Sequence, residues 1–373
     1  MKYNKKMVII TNLYPLPWQQ NRATFNKQQF ELLKDDYDVS ILVPIAFPDW
    51  FKHMKQITNN TNVRYAPYFY LPKLGRRFYS VSMFLSLLLH SGFWLKKQNI
   101  QIIFASWAFP DAVAASWLSK LFRTKFFFKV HGSDINLHGK IPARAKQIVK
   151  ASIHADGILC VSKALSQEMV SLGINESKIS VIYNGVDHSK FGAKIYPAPV
   201  NSYVLFVGNL KHDKGVLELV RGFAKISHQH PELHLIFAGD GAEKNNIISC
   251  AEKFNISAKV SLLGSVEHNA LPELISCAKI LALPSYNEGV PNVVLEAMAC
   301  GTTILATKVG GIPEIVDESI CGTLITPKCE DAVANGLTHI LAQEWSEDKI
   351  KQHSQKFTWE TNKQQLLGLL SKN

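Results

Sequence analysis

Between Ile280 and Gly301 the chain passes from a short apolar run through a polar loop into a helix. The run is Ile280-Leu281-Ala282-Leu283-Pro284, and the loop carries Glu288 and Gly289-Val290-Pro291. Four apolar residues bounded by a loop read as a buried parallel strand. Pro291 suits a helix start and Gly301 a helix stop, so Asn292–Cys300 is predicted helical. A strand-loop-helix junction of this kind is where an open α/β sheet places its ligand. The amides of Gly289, Val290, Asn292 and Val293 precede or open the first helical turn and are free to face an anion. Glu288 sits on the loop and Glu296 more than a turn into the helix. Each carboxylate accepts two hydroxyl hydrogen bonds, which suits the vicinal diols of a sugar or a ribose. An ordinary buried crossover with a capping and a surface glutamate fits the same spacing.

A length of 373 residues favours two domains. The 47% apolar and 19% charged content is that of a folded chain, not a disordered one. The net charge of +11 is unevenly spread. Residues 1–190 hold 25 Lys and Arg against 11 Asp and Glu, whereas the remainder holds 16 against 19. A basic first half suits an anionic membrane surface or lipid phosphate. No zinc-finger spacing or ribonucleoprotein motif accompanies it, so no nucleic-acid partner is expected. The six cysteines lack any paired spacing and read as reduced core residues, which points to the cytoplasm. The first apolar run, Met7–Leu13, is too short and polar for a signal peptide and reads as a strand.

Met7–Thr11 is followed by a proline-containing loop, Tyr14–Arg22, and a helix over 23–34. On that loop Arg22, next to Asn21, is able to meet an anionic ligand or a phosphate. Asp36-Tyr37-Asp38 has a metal-binding spacing but falls between helix and strand, where a turn is the better reading. Phe78–Leu95 is rich in Leu, Phe and Met and is flanked by Arg76-Arg77 and Lys96-Lys97. Its serines, His90 and Gly92 argue against a bilayer span and for a buried or interfacial helix with basic ends. His131-Gly132-Ser133-Asp134 follows the strand Lys125–Val130, again at a strand's C-terminal end. Asn184-Gly185-Val186-Asp187 is a turn signal where the chain passes into a second domain, and residues 192–200 read as linker. That domain opens with the strand Tyr203–Val207. Gly208-Asn209-Leu210-Lys211-His212-Asp213-Lys214-Gly215 then leads into a helix. Close backbone approach at Gly208, a helix dipole and the Lys214 ammonium together suit a diphosphate.

EGVPNVVLEAMACG with Glu288 and Glu296, followed by Val309-Gly310-Gly311-Ile312-Pro313-Glu314, closely resembles the C-terminal signature of retaining GT-B glycosyltransferases of family 4. Two further stretches resemble the same family: His131-Gly132-Ser133-Asp134, and Phe357-Thr358-Trp359-Glu360 before the last helix. The resemblance implies two doubly wound Rossmann-like domains facing a central cleft. Residues 1–190 would bind the acceptor, with Asn21 and Arg22 on the acceptor side, residues 191–357 would bind the nucleotide sugar, and the helix over 358–373 would return to the first domain. It implies that His131 and Glu288 are catalytic. Gly208, Asn209, Lys214, Gly289, Val290, Asn292, Val293 and Glu296 would contact the donor, with Glu296 on the ribose and Glu288 on the transferred sugar. Where the family usually has an arginine that shares the diphosphate with the lysine, this chain has Asn209. The implied chemistry needs no metal and no cofactor beyond the substrate, a UDP-sugar before other nucleotide sugars. A lipid-linked or glycan acceptor at the cytoplasmic membrane face, in cell-surface polysaccharide synthesis, fits the basic first half. Another nucleotide-sugar enzyme on the same fold, such as an epimerase or a sugar-phosphate synthase, remains open, as does a non-catalytic scaffold.

Overall fold

The computed structural model describes residues 5–20, 22–58, 60, 62–70, 75, 78–192 and 202–371. They divide into two compact units, Met1–Tyr183 with Asn362–Asn373, and Asn184–Thr361. Asn21 and most of the anticipated linker, 193–200, lie outside the described residues, as do Arg76 and Arg77.

The first unit holds a seven-stranded sheet. Its strands are β1 (Lys6–Ile10), β2 (Asp38–Ala46), β3 (Val63–Tyr68), β4 (Ile102–Ser106), β5 (Lys125–Val130), β6 (Gly157–Cys160) and β7 (Ile179–Val181), in the order β3-β2-β1-β4-β5-β6-β7. Every pairing is parallel. The sequence explains the arrangement. Runs such as Met7-Val8-Ile9-Ile10 and Phe126-Phe127-Phe128 are apolar on both faces and wholly buried, which only a sheet covered on both sides by helices can use.

The second unit holds six parallel strands: β8 (Tyr203–Val207), β9 (His234–Ala238), β10 (Val260–Gly264), β11 (Ile280–Leu283), β12 (Thr303–Thr307) and β13 (Gly322–Ile325). Their order is β10-β9-β8-β11-β12-β13. In both units the chain moves outward on one side of the first strand and then resumes on its other side. The order therefore reverses between β1 and β4, and between β8 and β11. Loops leaving the two strands at such a point splay to opposite faces and open a crevice at the strands' carboxyl ends.

Several local expectations are refined by this geometry. Pro291 is extended (φ −72°, ψ 120°) and caps the helix Asn292–Cys300 rather than lying in its first turn. Gly301 closes that helix in the left-handed conformation (φ 82°). The region 330–357 is two helices, Glu330–Leu341 and Glu347–Ser354. Asp36 does belong to a turn, and its carboxylate meets Lys363 Nζ at 3.1 Å. The last helix, Trp359–Ser371, starts under a cap in which Thr358 Oγ1 accepts from the Thr361 amide at 3.1 Å. Its later turns belong to the first unit, where Leu366, Leu369 and Leu370 are buried. Asn362, also buried, donates to the Tyr183 carbonyl and accepts from Gln29 Nε2, each at 2.7 Å.

Candidate functional site

In the second unit the two loops at the strand-order reversal supply the side chains expected to act there. The loop after β8 ends in a short turn, His212–Lys214, and Gly215 starts the helix Val216–Ile226 with φ 67°. A side chain at Gly215 would collide with the Pro284 carbonyl at the end of β11, so glycine lets the two loops touch. The Tyr286 amide donates to the Asp213 carbonyl at 2.8 Å, which fixes one loop on the other. Held this way, Lys214 Nζ lies 2.6 Å from Glu288 Oε1, with both groups mostly shielded from solvent. Gly310 (φ 52°) packs under this loop, where any Cβ would strike the Glu288 carbonyl, and the Gly311 amide donates to the Gly289 carbonyl at 2.8 Å.

The helix Asn292–Cys300 begins at the same crevice. The Val294 amide returns to the Pro291 carbonyl at 3.1 Å, so the Asn292 and Val293 amides stand ahead of the intrahelical ladder. Asn292 Oδ1 accepts from Asn184 Nδ2 at 2.9 Å. One turn on, on the same face, Glu296 Oε1 lies 3.1 Å from His268 Nε2. Lys190 Nζ lies 2.6 Å from His268 Nδ1 and 3.0 Å from Asn269 Oδ1. An ammonium only donates, so Nδ1 accepts and Nε2 carries the proton that Glu296 receives. Glu296 is thereby held by the His268 ring. Sequence reading missed His268 and Lys190, because neither belongs to a motif and only the fold brings them to Glu296. Gly208 (φ 151°) adopts a conformation that glycine favours, close under the loop after β9, and Asn209 is exposed beside it.

In the first unit the reversal point is equally built. Asn12, just after β1, donates its amide (2.6 Å) and its side-chain nitrogen (2.7 Å) to the carboxylate of Asp111, which follows β4. Asp111 is fully buried, and burial pushes its pKa up to about 7 against those hydrogen bonds. Arg22 is half-buried near Asp111, Asp49 and Tyr68, and burial lowers its pKa. His131 follows β5. Its Nε2 lies 2.8 Å from Ser106 Oγ, and its ring packs against Phe25 and Trp107 at 5.4 and 6.1 Å. The Asp134 carboxylate ties the turn together by accepting from the amides of His131 (3.0 Å), Gly132 (2.9 Å) and Ala108 (3.0 Å). Behind it Lys129 is buried with Nζ 2.9 Å from Gln29 Oε1, and burial lowers its pKa to about 7. Burial first and the Lys129 charge second hold the His131 pKa well below its ordinary value, so the ring is neutral near pH 7. Sequence reading did not single out Ser106, Asp134 or Lys129 as partners of His131.

The structure thus joins Lys214 with Glu288 at one end of the helix Asn292–Cys300, and Glu296 with His268 along it. Among the described residues no three or more His, Cys, Asp or Glu side chains are grouped to hold a metal ion.

Comparison with known proteins agrees with this architecture. Residues 30–190 match the family model Glycosyltransferase Family 4, and residues 195–357 the model Glycosyl transferases group 1. TuaC of Bacillus subtilis, described as a putative teichuronic acid biosynthesis glycosyltransferase, is 26% identical over 362 residues, covering 89% of this chain and 88% of its own. The N-acetyl-alpha-D-glucosaminyl L-malate synthase of Bacillus anthracis is 27% identical, over 67% of each chain. Among solved structures, HepE of Anabaena in complex with UDP superposes with a TM-score of 0.76 at 20% identity, covering 99% of this chain and 100% of that one. Sucrose-phosphate synthase of Thermosynechococcus elongatus does so with 0.79 at 20% identity, over 98% of both. Two parallel Rossmann-like units of the GT-B fold, each matched by its own family model, make this chain a glycosyltransferase of group 1.

Proposed function

We propose that the protein transfers a sugar, with retention of configuration, from a UDP-sugar to a lipid-linked or glycan acceptor in cell-surface polysaccharide synthesis at the cytoplasmic face of a membrane. The observation that carries the reading is the Lys214–Glu288 pair at the reversal point beside the start of the helix Asn292–Cys300. A diphosphate there meets one ammonium and the open amides of a helix N-terminus, groups already aimed where charge grows as the leaving group departs. Moving Lys214 onto the diphosphate frees Glu288 for the hydroxyls of the transferred sugar, while Glu296, held by His268, takes the ribose. His131, neutral and fixed by Ser106 and the Asp134 turn, offers a hydrogen bond to the reacting sugar, and Arg22 serves the acceptor. The bond from C1 to the β-phosphate oxygen breaks as the acceptor oxygen bonds to C1, and the acceptor proton ends on the departing phosphate. The HepE complexes with UDP and UDP-glucose support uridine, and the likeness to TuaC, described for teichuronic acid biosynthesis, supports a polysaccharide pathway.

The test uses UDP, GDP and ADP as probes of thermal stability, followed by UDP release from UDP-sugars with and without EDTA. UDP raises the melting temperature. Lys214→Ala weakens UDP binding about 10- to 100-fold, the scale of a lost hydrogen bond to a charged group. NMR of the product shows the donor's anomeric configuration. A melting temperature indifferent to all three nucleotides, or turnover abolished by the chelator, ends the reading.

A further inference from the structure

The helix Tyr79–Lys97 is two-sided in an unusual way. Its buried stripe is Ser80, Met83, Leu87, Ser91 and Leu95, three apolar residues and two serines set at helical spacing against its own unit. Its outward stripe is the greasier one: Phe78, Val81, Leu85, Leu89 and Phe93, with Leu89 87% and Phe93 75% exposed. Large apolar side chains normally take the inward face of such a helix. The stripe continues beyond the helix. Ser82 Oγ donates to the Phe69 carbonyl, and the Phe69 amide donates to Ser86 Oγ at 3.2 Å, which sets the exposed Phe69 ring at the stripe's edge. Phe69 packs against Phe47 at 6.2 Å, and Phe47 against the exposed Phe51 at 6.3 Å on the helix Phe47–His53. Met54 follows, also exposed. A contiguous exposed patch assembled from two helices and a strand end marks a contact surface.

The rim of the patch says what covers it. Lys96 and Lys97 close one helix, and Lys97 Nζ lies 4.7 Å over the Phe93 ring. Lys52 and Lys55 stand among Phe51 and Met54, with Asp49 the acid on that helix. Exposed apolar side chains joined by ring contacts, with lysines beside them in the chain and Lys97 over Phe93, fit a bilayer surface of anionic lipid, where the chains enter the acyl boundary and the lysines stay with the headgroup phosphates. A second copy of the same face would set lysine against lysine. A span is not in question, since no helix among the described residues is long and apolar enough to cross a membrane.

We infer that the face made by Leu85, Leu89, Phe93, Phe51 and Phe69 docks the first unit flat on an anionic membrane, with the helix Tyr79–Lys97 lying in the plane of the interface. Its use in catalysis rests on the proposed lipid-linked acceptor; the docking itself does not. The experiment is co-sedimentation of the full chain with phosphatidylcholine vesicles, with and without phosphatidylglycerol. It compares wild type, Leu89→Gln with Phe93→Gln, and Lys96→Glu with Lys97→Glu. Wild type pellets with the anionic vesicles and releases at high salt. The glutamine pair lowers partitioning about tenfold or more per side chain, and the charge pair at least about fivefold per lysine. All forms keep their UDP-dependent thermal shift, so loss of docking and failure of the donor reading are told apart. Equal pelleting with neutral vesicles, unchanged pelleting of the glutamine pair, or wild type remaining in solution overturns the inference. So does a wild-type dimer that the glutamine pair dissolves, since the face would then be closed by a second copy.

Discussion

Lys129 and His131 show how a single buried charge tunes a site. The unfolded imidazole takes a proton near pH 6.5, whereas the native ring resists until well below that because it is buried beside Lys129. Between those points the unfolded state binds more protons, so this group's contribution falls as the pH drops below 6.5, by up to about 1.4 kcal/mol per pH unit. His131→Asn is therefore expected to flatten the acid loss of stability when unfolding is followed from pH 7 to 5. Lys129→Met removes the second cause and raises the His131 pKa, read by NMR titration of its ring proton. A titration midpoint that does not move would refute the electrostatic link. None of this was legible beforehand: the sequence offered His131 through its motif, but the lysine's burial is a property of the packed sheet.

At the scale of elements, two loops and one helix make the candidate site, and glycines decide how closely they approach. Gly310 combines a left-handed backbone with a Cβ direction blocked by the Glu288 carbonyl. Gly310→Ala is expected to cost roughly 2–4 kcal/mol from strain and overpacking. Because the displaced atom belongs to Glu288, UDP-sugar turnover should fall in the fraction that still folds. Normal turnover with an unchanged melting temperature would show that the loop yields freely. The motif containing Gly310 was visible in the sequence together with its helix, strand and stop signal. The tie from the Tyr286 amide to Asp213, and the pairing of Lys214 with Glu288 across 74 residues, depend on β8 and β11 being neighbours. No local signal carries that order.

For the molecule as a whole, the last helix is the closing piece of the first unit. Truncation after Thr361 removes three buried leucines and Asn362, and with them the side-chain partner of Gln29, which in turn holds Lys129. Three such side chains contribute roughly 5–9 kcal/mol, comparable with the whole stability of a domain. The truncated chain is expected to lose cooperative unfolding of the first unit, by circular dichroism, while the single change Asn362→Ala costs about 1–3 kcal/mol. A truncated protein that melts like the full chain would remove the helix from that core.

The chain by itself determined the class of fold and the strand-loop-helix junctions where the candidate side chains sit. Apolar runs buried on both faces require parallel sheets covered by helices, and the glycine, lysine and glutamate spacings put those residues just beyond strand ends or on the helix that follows. Those signals are local, set by hydrogen bonding, backbone conformation and burial within a few residues. Strand order, the orientation of Glu296 by His268, the buried Lys129 and the outward-facing apolar stripe were decided by the tertiary structure. Each depends on which distant segments share one interior, and the free energy of that packing is not written in any single stretch.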